Sequence, residues 1–511
     1  MRRIQWFLLL VPVLAFTACA QFLPRPSMPE QTAFTVKQET PLDLVIAEAE
    51  ARHPGQSGFR LVSEGPEAFA LRARSAALAG RSLDVQTYIW HADLTGIYLA
   101  YRLLDAADRG VRVRLLLDDI DARAKNLGFA ALDAHPGIEV RIFNPFASRE
   151  GKLKQLGEAL GSFKRINHRM HNKSWIADNR IAIVGGRNLG DEYFGASEEV
   201  NFVDLDFAMI GPVVRDASES FDRYWNSRAA YPMAVLDPDG VDSATLEALR
   251  TKATAQAREA EASRYAAELR GDDAVQRLAG GQWPMEWTAA YRFVSDDPLK
   301  ALMEPGPQRS HVLTVLVPAL RAAREEVTII SPYFVPGKLG TAGLVEGVQG
   351  GTRVRILTNS LAANDVAAVH GGYSRYREAL LSGGVMLWEL KPRPGSEVKS
   401  SLFGSSGASL HTKAFAVDGA SLFVGSYNLD PRSTSLNCEQ GVLVENAVLA
   451  KQLEALFVTQ SAGQRAWAVT LEDGKLRWTD GAEAFGSDPN ASAGRRFQAW
   501  FARVLRIDSQ L

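Results

Sequence analysis

One pattern is written twice in this chain, once in each half, and it constrains the fold more than any other feature. His171-Asn172-Lys173 runs on to Asp178 and, after six intervening residues, to Gly185-Gly186-Arg187-Asn188. His411-Thr412-Lys413 runs on to Asp418 and, again after six, to Gly425-Ser426-Tyr427-Asn428. A single His-x-Lys reads as an ordinary pair on a surface strand. Two copies with the same internal spacing and the same return from glycine to asparagine imply a duplicated unit, which predicts a repeated architecture. In an extended segment residues two apart face the same way, so each His and its Lys project together into one cleft. A turn and a second strand then bring the Asn back beside them.

Three further runs recur in the same order. Residues 83–90 parallel 327–334, each an apolar strand-like run ending in aromatics; residues 110–117 parallel 351–358; residues 137–141 parallel 384–388. Between the first two runs lies a helical pattern, Leu99, Leu103, Leu104 and Ala107, which gives the strand-helix-strand alternation of an α/β unit. The fold class is α/β, two tandem repeats, each a mixed sheet flanked by helices. The boundaries read as a first repeat over 57–240, a helical linker or insertion rich in Ala, Glu and Arg over 241–290, a second repeat over 291–470 and a C-terminal extension over 471–511.

With 46% hydrophobic and 23% charged residues in 511, the chain is long enough for two cores. A net charge of -2 excludes wholesale nucleic-acid binding, which shows as a basic excess, and no nucleic-acid partner is expected. The first 19 residues depart from the globular pattern. Arg2 and Arg3 precede an apolar run from Ile4 to Ala18, too short to span a bilayer comfortably, which reads as a secretory signal. Phe16-Thr17-Ala18-Cys19 resembles a bacterial lipoprotein signal with Cys19 as the lipidated residue, although Phe16 stands where Leu is usual. Rival readings are cleavage after Ala20 and an uncleaved anchor. Residues 20–56, polar and Pro-rich at first, read as a flexible tether leading into the fold. Cys438 is the only other cysteine, so the fold rests on its core.

Taken together, the two motifs resemble the phospholipase D superfamily from about residue 57 to about residue 470. The runs His171-Asn172-Lys173, residues 185–191, residues 358–366 and Asp430-Pro431-Arg432-Ser433 resemble the bacterial cardiolipin synthases of the C type within it. The resemblance implies that the repeats pack so that both motifs form one active site, working through a phosphohistidine without metal or cofactor. It implies His171 as nucleophile and His411 as acid/base; the near-symmetry of the motifs leaves the order open. A covalent intermediate divides a slow displacement at an anionic phosphorus into two easier ones, and imidazole titrates near neutrality, as both roles require. Lys173, Lys413, Asn188 and Asn428 are expected around the non-bridging oxygens. Each histidine needs a carboxylate behind it: Glu439, eleven residues beyond Asn428, in the second half, and Asp204 in the first, with Glu199, which shares the eleven-residue offset from Asn188, as the alternative. Asp178 and Asp418 belong to the motif and read as structural. A metal centre is disfavoured because the spacings match no metal signature.

The implied activity is phosphatidyl transfer that forms cardiolipin from phosphatidylglycerol and a second phospholipid. The alternative is a phospholipase D or other phosphodiesterase, nucleases included, in which water is the acceptor. The expected partners are phospholipids and a membrane surface reached through a lipid anchor, and the expected place is the periplasmic side of a bacterial envelope. Tyr88, Trp90 and Tyr333 close strand ends and read either as cleft border or as core. His370, Tyr373 and Arg377 share a helix face and read either as headgroup contacts or as packing. The basic amphipathic stretch over 141–169 reads equally as a lipid-facing segment or as a helix packed on the core.

Overall fold

The structure, a computed structural model, describes residues 25–34, 39–122, 125–146, 167–237, 240–279, 281–392 and 410–505. Cys19 with its leader, and residues 147–166 of the basic stretch, lie outside them.

Side-chain alternation decides the layers. In the strands Ser174–Ala177 and Ile181–Gly185, Trp175, Ala177, Ile181 and Ile183 pack into an outer core, while Ile176, Ala182 and Val184 pack into an inner one. Ala414–Val417 and Ser421–Gly425 divide in the same way, with Phe415, Val417 and Phe423 outward and Ala414, Ala416, Leu422 and Val424 inward. A strand apolar on both faces must be covered on both. Helices such as Leu94–Asp108 cover the outer face of the first sheet. The inner faces of both sheets share one core with the helices Pro212–Asn226 and Ala447–Ser461, so the two halves are one packed body.

The sheets repeat each other strand for strand. The first runs Ala230–Pro232, Ile138–Phe143, Arg112–Asp118, Ser82–Thr87, Ser174–Ala177, Ile181–Gly185, Asp206–Ile210, Ser57–Val62 and Glu286–Thr288. Read in the matching direction, the second runs Ala466–Glu472, Met386–Leu390, Arg353–Asn359, Glu326–Ile330, Ala414–Val417, Ser421–Gly425, Gln440–Glu445 and Tyr291–Ser295, with Lys475–Thr479 and Ala484–Phe485 beyond its first strand. In each, three parallel strands meet the antiparallel motif strands. The doubly written His-x-Lys therefore enters both sheets at the same place.

The edges of the repeats differ from the sequence reading. Residues 25–34 lie along the first half: Arg25 Nε donates to Ala230 O at 2.8 Å, Gln31 Nε2 to Glu139 Oε2 at 2.6 Å and Ala33 N to Asp222 Oδ2 at 2.8 Å, while the Arg112 guanidinium sits 3.7 Å from the Phe34 ring centroid. A segment held by hydrogen bonds shows no apolar period, which is why it reads as a tether. Farther along the lead-in, Pro41–Arg52 is a helix started by a capping box between Thr40 and Asp43. The linker forms the helices Ser243–Ala262, Arg264–Gly271 and Asp273–Ala279, then closes the first sheet by pairing Glu286–Thr288 with Ser57–Phe59. The second sheet continues past residue 470 to Phe485.

Candidate active site

Each His-x-Lys triplet stands just ahead of its strand and is tied by its backbone to the other half. Met170 bridges to Cys438 and Val203 to Leu410; His171 N donates to Cys438 O at 2.9 Å and His411 N to Val203 O at 2.8 Å. Glu439 follows Cys438 and Asp204 follows Val203. Each bridge thus lays the carboxylate of one half against the imidazole of the other. His171 Nδ1 lies 2.9 Å from Glu439 Oε2, and His411 Nδ1 lies 2.6 Å from Asp204 Oδ2. With Nδ1–H given to a carboxylate, Nε2 of each ring carries the lone pair.

Burial governs the charges. It pushes His171 down to about 4 against the pull of Glu439, and His411 down to about 3, with Lys413 adding to the drop and Asp204 opposing it. Burial works to raise Asp204 and Glu439, yet His411 and His171 respectively hold them below their ordinary values. Burial also pushes Lys413 down to about 8 and Lys173 well below its usual range. Each lysine is held by the carbonyl of its own motif histidine, Lys173 Nζ donating to His171 O at 2.6 Å and Lys413 Nζ to His411 O.

Aromatic rings brace both imidazoles. Tyr88 meets His171 edge-on at 5.1 Å, and Lys173 Nζ lies 5.3 Å from the Tyr88 centroid. Phe202 stacks on His411 at 5.5 Å, and Tyr193 meets it edge-on at 5.3 Å. Phe202 and Tyr193 escape a reading of the sequence because they lie in the connection from Asn188 to Asp204, Tyr193 in the short helix Asp191–Phe194, and have no counterpart at the same offset in the second half. That connection is five residues longer than its partner, which also explains the choice between the acids. Strand register pairs Gly185 with Asp206 and Gly425 with Gly441, so Asp204 is the equivalent of Glu439. Glu199 shares only the offset and is exposed.

Position 186 has to be glycine for this arrangement. A Cβ there would lie 2.1 Å from Asp204 Oδ1. In the second half Ser426 takes the place, and its Oγ donates to Glu439 Oε2 at 2.5 Å. Ser426 is a further candidate site residue, two positions before Asn428.

Asn188 and Asn428 differ. Asn188 Oδ1 accepts from Ile89 N at 3.2 Å and its Nδ2 donates to Tyr193 Oη at 2.8 Å, so its amide positions the ring beside His411. Asn428 Oδ1 is buried with no hydrogen-bond partner among the described residues. Asp178 and Asp418 cap backbone: Asp178 accepts from the amides of Gly80, Arg81 and Ser82, and Asp418 from those of Arg324, Glu325 and Glu326, both in the left-handed conformation. Tyr333 Oη donates to Asp365 Oδ1 at 2.8 Å. His370 and Tyr373 are drawn elsewhere. His370 Nε2 lies 3.0 Å from Asp488 Oδ1, Arg377 reaches both Asp488 and Glu389, and Tyr373 packs under that guanidinium at 4.9 Å. Neither ring touches His171 or His411. Two triads among the described residues have metal-compatible spacing, His91 with Asp93 and Glu192, and His370 with Glu389 and Asp488; neither contains a motif histidine.

Two matched sheets with one site across their junction define a phospholipase D-like protein. The chain belongs to the family described as "Cardiolipin synthase, PLD-like domain", which matches residues 74–225 and 316–460. It is 44% identical to cardiolipin synthase C of Escherichia coli strain K12 over 90% of this chain and 97% of that one. An uncharacterized protein of Helicobacter pylori strain ATCC 700392 / 26695 is 32% identical over 92% of each chain. Phosphatidylserine synthase of Haemophilus influenzae Rd KW20 shares the fold, with a TM-score of 0.56 and 12% identity over 91% of this chain and 99% of that one.

Proposed function

We propose that this chain transfers a phosphatidyl group, forming cardiolipin from phosphatidylglycerol and a second phospholipid. The observation that carries the reading is the pair of carboxylate-backed imidazoles contributed crosswise by the two halves. Kinship with cardiolipin synthase C of E. coli supports the substrate class.

His171 Nε2 attacks phosphorus and the bond to the leaving oxygen breaks, His411 supplying that oxygen with a proton. Both imidazoles are neutral at rest, and the negative charge of the bound phosphodiester raises the affinity of His411 for a proton, which it takes from solvent at Nε2 before donating it. In the second step the hydroxyl of phosphatidylglycerol gives its proton to His411 and attacks phosphorus as the N–P bond breaks. Lys173, Lys413 and Asn428 face the non-bridging oxygens, and the carboxylates of Glu439 and Asp204 stabilise each imidazolium as it forms. Tyr88 and Tyr333 border the cleft.

Among the described residues no helix is long and apolar enough to cross a membrane. Lipidation of Cys19 after removal of residues 1–18 supplies the proposed anchor on the periplasmic face, supported by the run Phe16-Thr17-Ala18-Cys19. Mass spectrometry of the mature N-terminus tests it; an unmodified Cys19 refutes it.

The transferase reading is tested by incubating the purified protein with labelled phosphatidylglycerol, with and without phosphatidylethanolamine, and identifying the lipids formed. Cardiolipin is expected, and none with His171→Ala. Phosphatidic acid alone would show water as the acceptor, and cleavage of DNA instead would remove the lipid reading.

A further inference from the structure

The helix Ala493–Leu505 lies on the molecule the wrong way round for a surface helix in water. Its buried residues are the small Ala499 and Ala502, while Phe497, Trp500, Phe501, Val504 and Leu505 are 49–62% exposed. A helix packed on a soluble domain turns its large apolar residues inward. Among the described residues eleven large apolar side chains are exposed, and these thirteen positions hold five of them. They form a patch, the Phe497 ring lying 5.8 Å from Trp500 and 6.1 Å from Phe501. Singly exposed apolar residues need no account; a contiguous stripe does.

The orientation is enforced from below. A Cβ on Gly371, in the helix Ala367–Ser374, would come 2.3 Å from Ala499 O. The two helices therefore meet backbone to backbone through their small residues, and rotating the aromatic side inward would open that contact. Arg495 Nε adds a bond to Leu361 O at 3.1 Å.

Charge selects the occupant. The segment 493–505 contains Arg495, Arg496 and Arg503 and no acidic residue. Arg503 and Arg375 line a shallow cavity with Trp500 and Val504. Guanidinium groups beside an indole suit a lipid phosphate above its acyl chains: the fork binds the anion and the ring sits at headgroup depth. A second protein surface would have to supply both apolar area and acidic groups in the same arrangement, which an anionic bilayer presents everywhere.

We infer that Ala493–Leu505 is a monotopic contact with an anionic phospholipid surface, inserting Phe497, Trp500, Phe501 and Val504 while Arg375 and Arg503 seat a lipid phosphate. The contact is separate from the N-terminal anchor and goes beyond the transferase reading. The buried side of the helix rests on the loop before Ala367, with Ala499 packed against Leu361 and Ala367 and Arg495 Nε on Leu361 O, and Asp365 of that loop accepts from Tyr333 Oη, so docking holds that loop beneath the bilayer contact.

In the full chain Cys438 is fully buried, so Cys19→Ser with Val504→Cys leaves one accessible thiol for an environment-sensitive dye. With phosphatidylcholine vesicles containing phosphatidylglycerol, the dye emission shifts to the blue and is quenched several-fold by lipid-borne nitroxides. Phosphatidylcholine alone gives little shift. Arg375→Gln with Arg503→Gln weakens the apparent partition roughly ten-fold, and Phe497→Ser with Phe501→Ser removes the shift. No shift with the anionic vesicles overturns the inference, as does an equal shift on both vesicle types that ignores the arginine changes. A shift without lipid that grows with protein concentration also overturns it, by assigning the face to a second copy. Turnover separates this result from the proposed activity: the Phe497→Ser, Phe501→Ser chain loses turnover on vesicles and keeps it on dispersed short-chain phosphatidylglycerol. A chain inactive on both substrates whose dye still inserts counts against the transferase reading alone.

Discussion

Asp204 touches His411 only at Nδ1, the side of the ring away from the reacting nitrogen, so its charge acts through the imidazole. Asp204→Asn keeps the size and removes the charge. Other carboxylate-supported imidazoles lose about four orders of magnitude in kcat on this change, and a fall of about two to four orders with little change in KM is expected here. Steady-state turnover on lipid vesicles checks it, and an undiminished kcat would sink the supporting role. The same pair sets a pH dependence of stability. His171 and His411 are held at about 4 and about 3, below the ordinary 6.5. Between those values and 6.5 the unfolded chain binds protons that the folded one refuses, so stability falls as pH falls through this window. The two groups account for a loss on the order of a few kcal/mol by pH 4. Thermal unfolding from pH 7.5 downward should show a steeper decline for the natural chain than for His171→Asn with His411→Asn. Parallel declines would show that other groups carry the dependence.

Within the elements, the motif aspartates act on backbone. Asp178 and Asp418 each gather three amides of the residues leading into Ser82–Thr87 and Glu326–Ile330, fixing how the motif strand sits beside its parallel neighbour. Asp418→Ala should cost about 1–3 kcal/mol by stranding those amides and leave kcat of the folded fraction within a few-fold of normal. Chemical denaturation and active-site titration together check this, and a large loss of kcat at unchanged stability would place Asp418 in the chemistry. The repeated runs at 83–90, 110–117 and 137–141 and their partners each became a strand, because period-two patterning and duplication are local properties of a sequence. The crosswise pairing of acid and histidine was not legible, since it arises from Met170 and Val203 bridging to the other half. Phe202 and Tyr193 were hidden by a connection that breaks the repeat. His370, Tyr373 and Arg377 come together as their spacing implied, but their partners are Asp488 and Glu389, which no spacing foretells.

At the scale of the molecule, neither half is complete alone. Ile176, Ala182, Val184, Phe207 and Met209 from the first sheet bury against the same core as Ala414, Leu422, Val424, Val442 and Val444 from the second. Each large apolar side chain so buried contributes about 1.5–3 kcal/mol, and the many such residues of the shared core together hold the halves without the chain connection. A protease site inserted after the exposed Gly240, ahead of the helix Ser243–Ala262, should therefore yield two fragments that run together on gel filtration and still transfer phosphatidyl groups. Denaturing and separating the fragments should abolish turnover in each, because His171 would lose Glu439 and His411 would lose Asp204, and mixing them should restore it. Fragments that part without denaturant would mean that the shared core is too weak to join the halves, and activity in either one alone would mean that the crosswise dyads are not the working site.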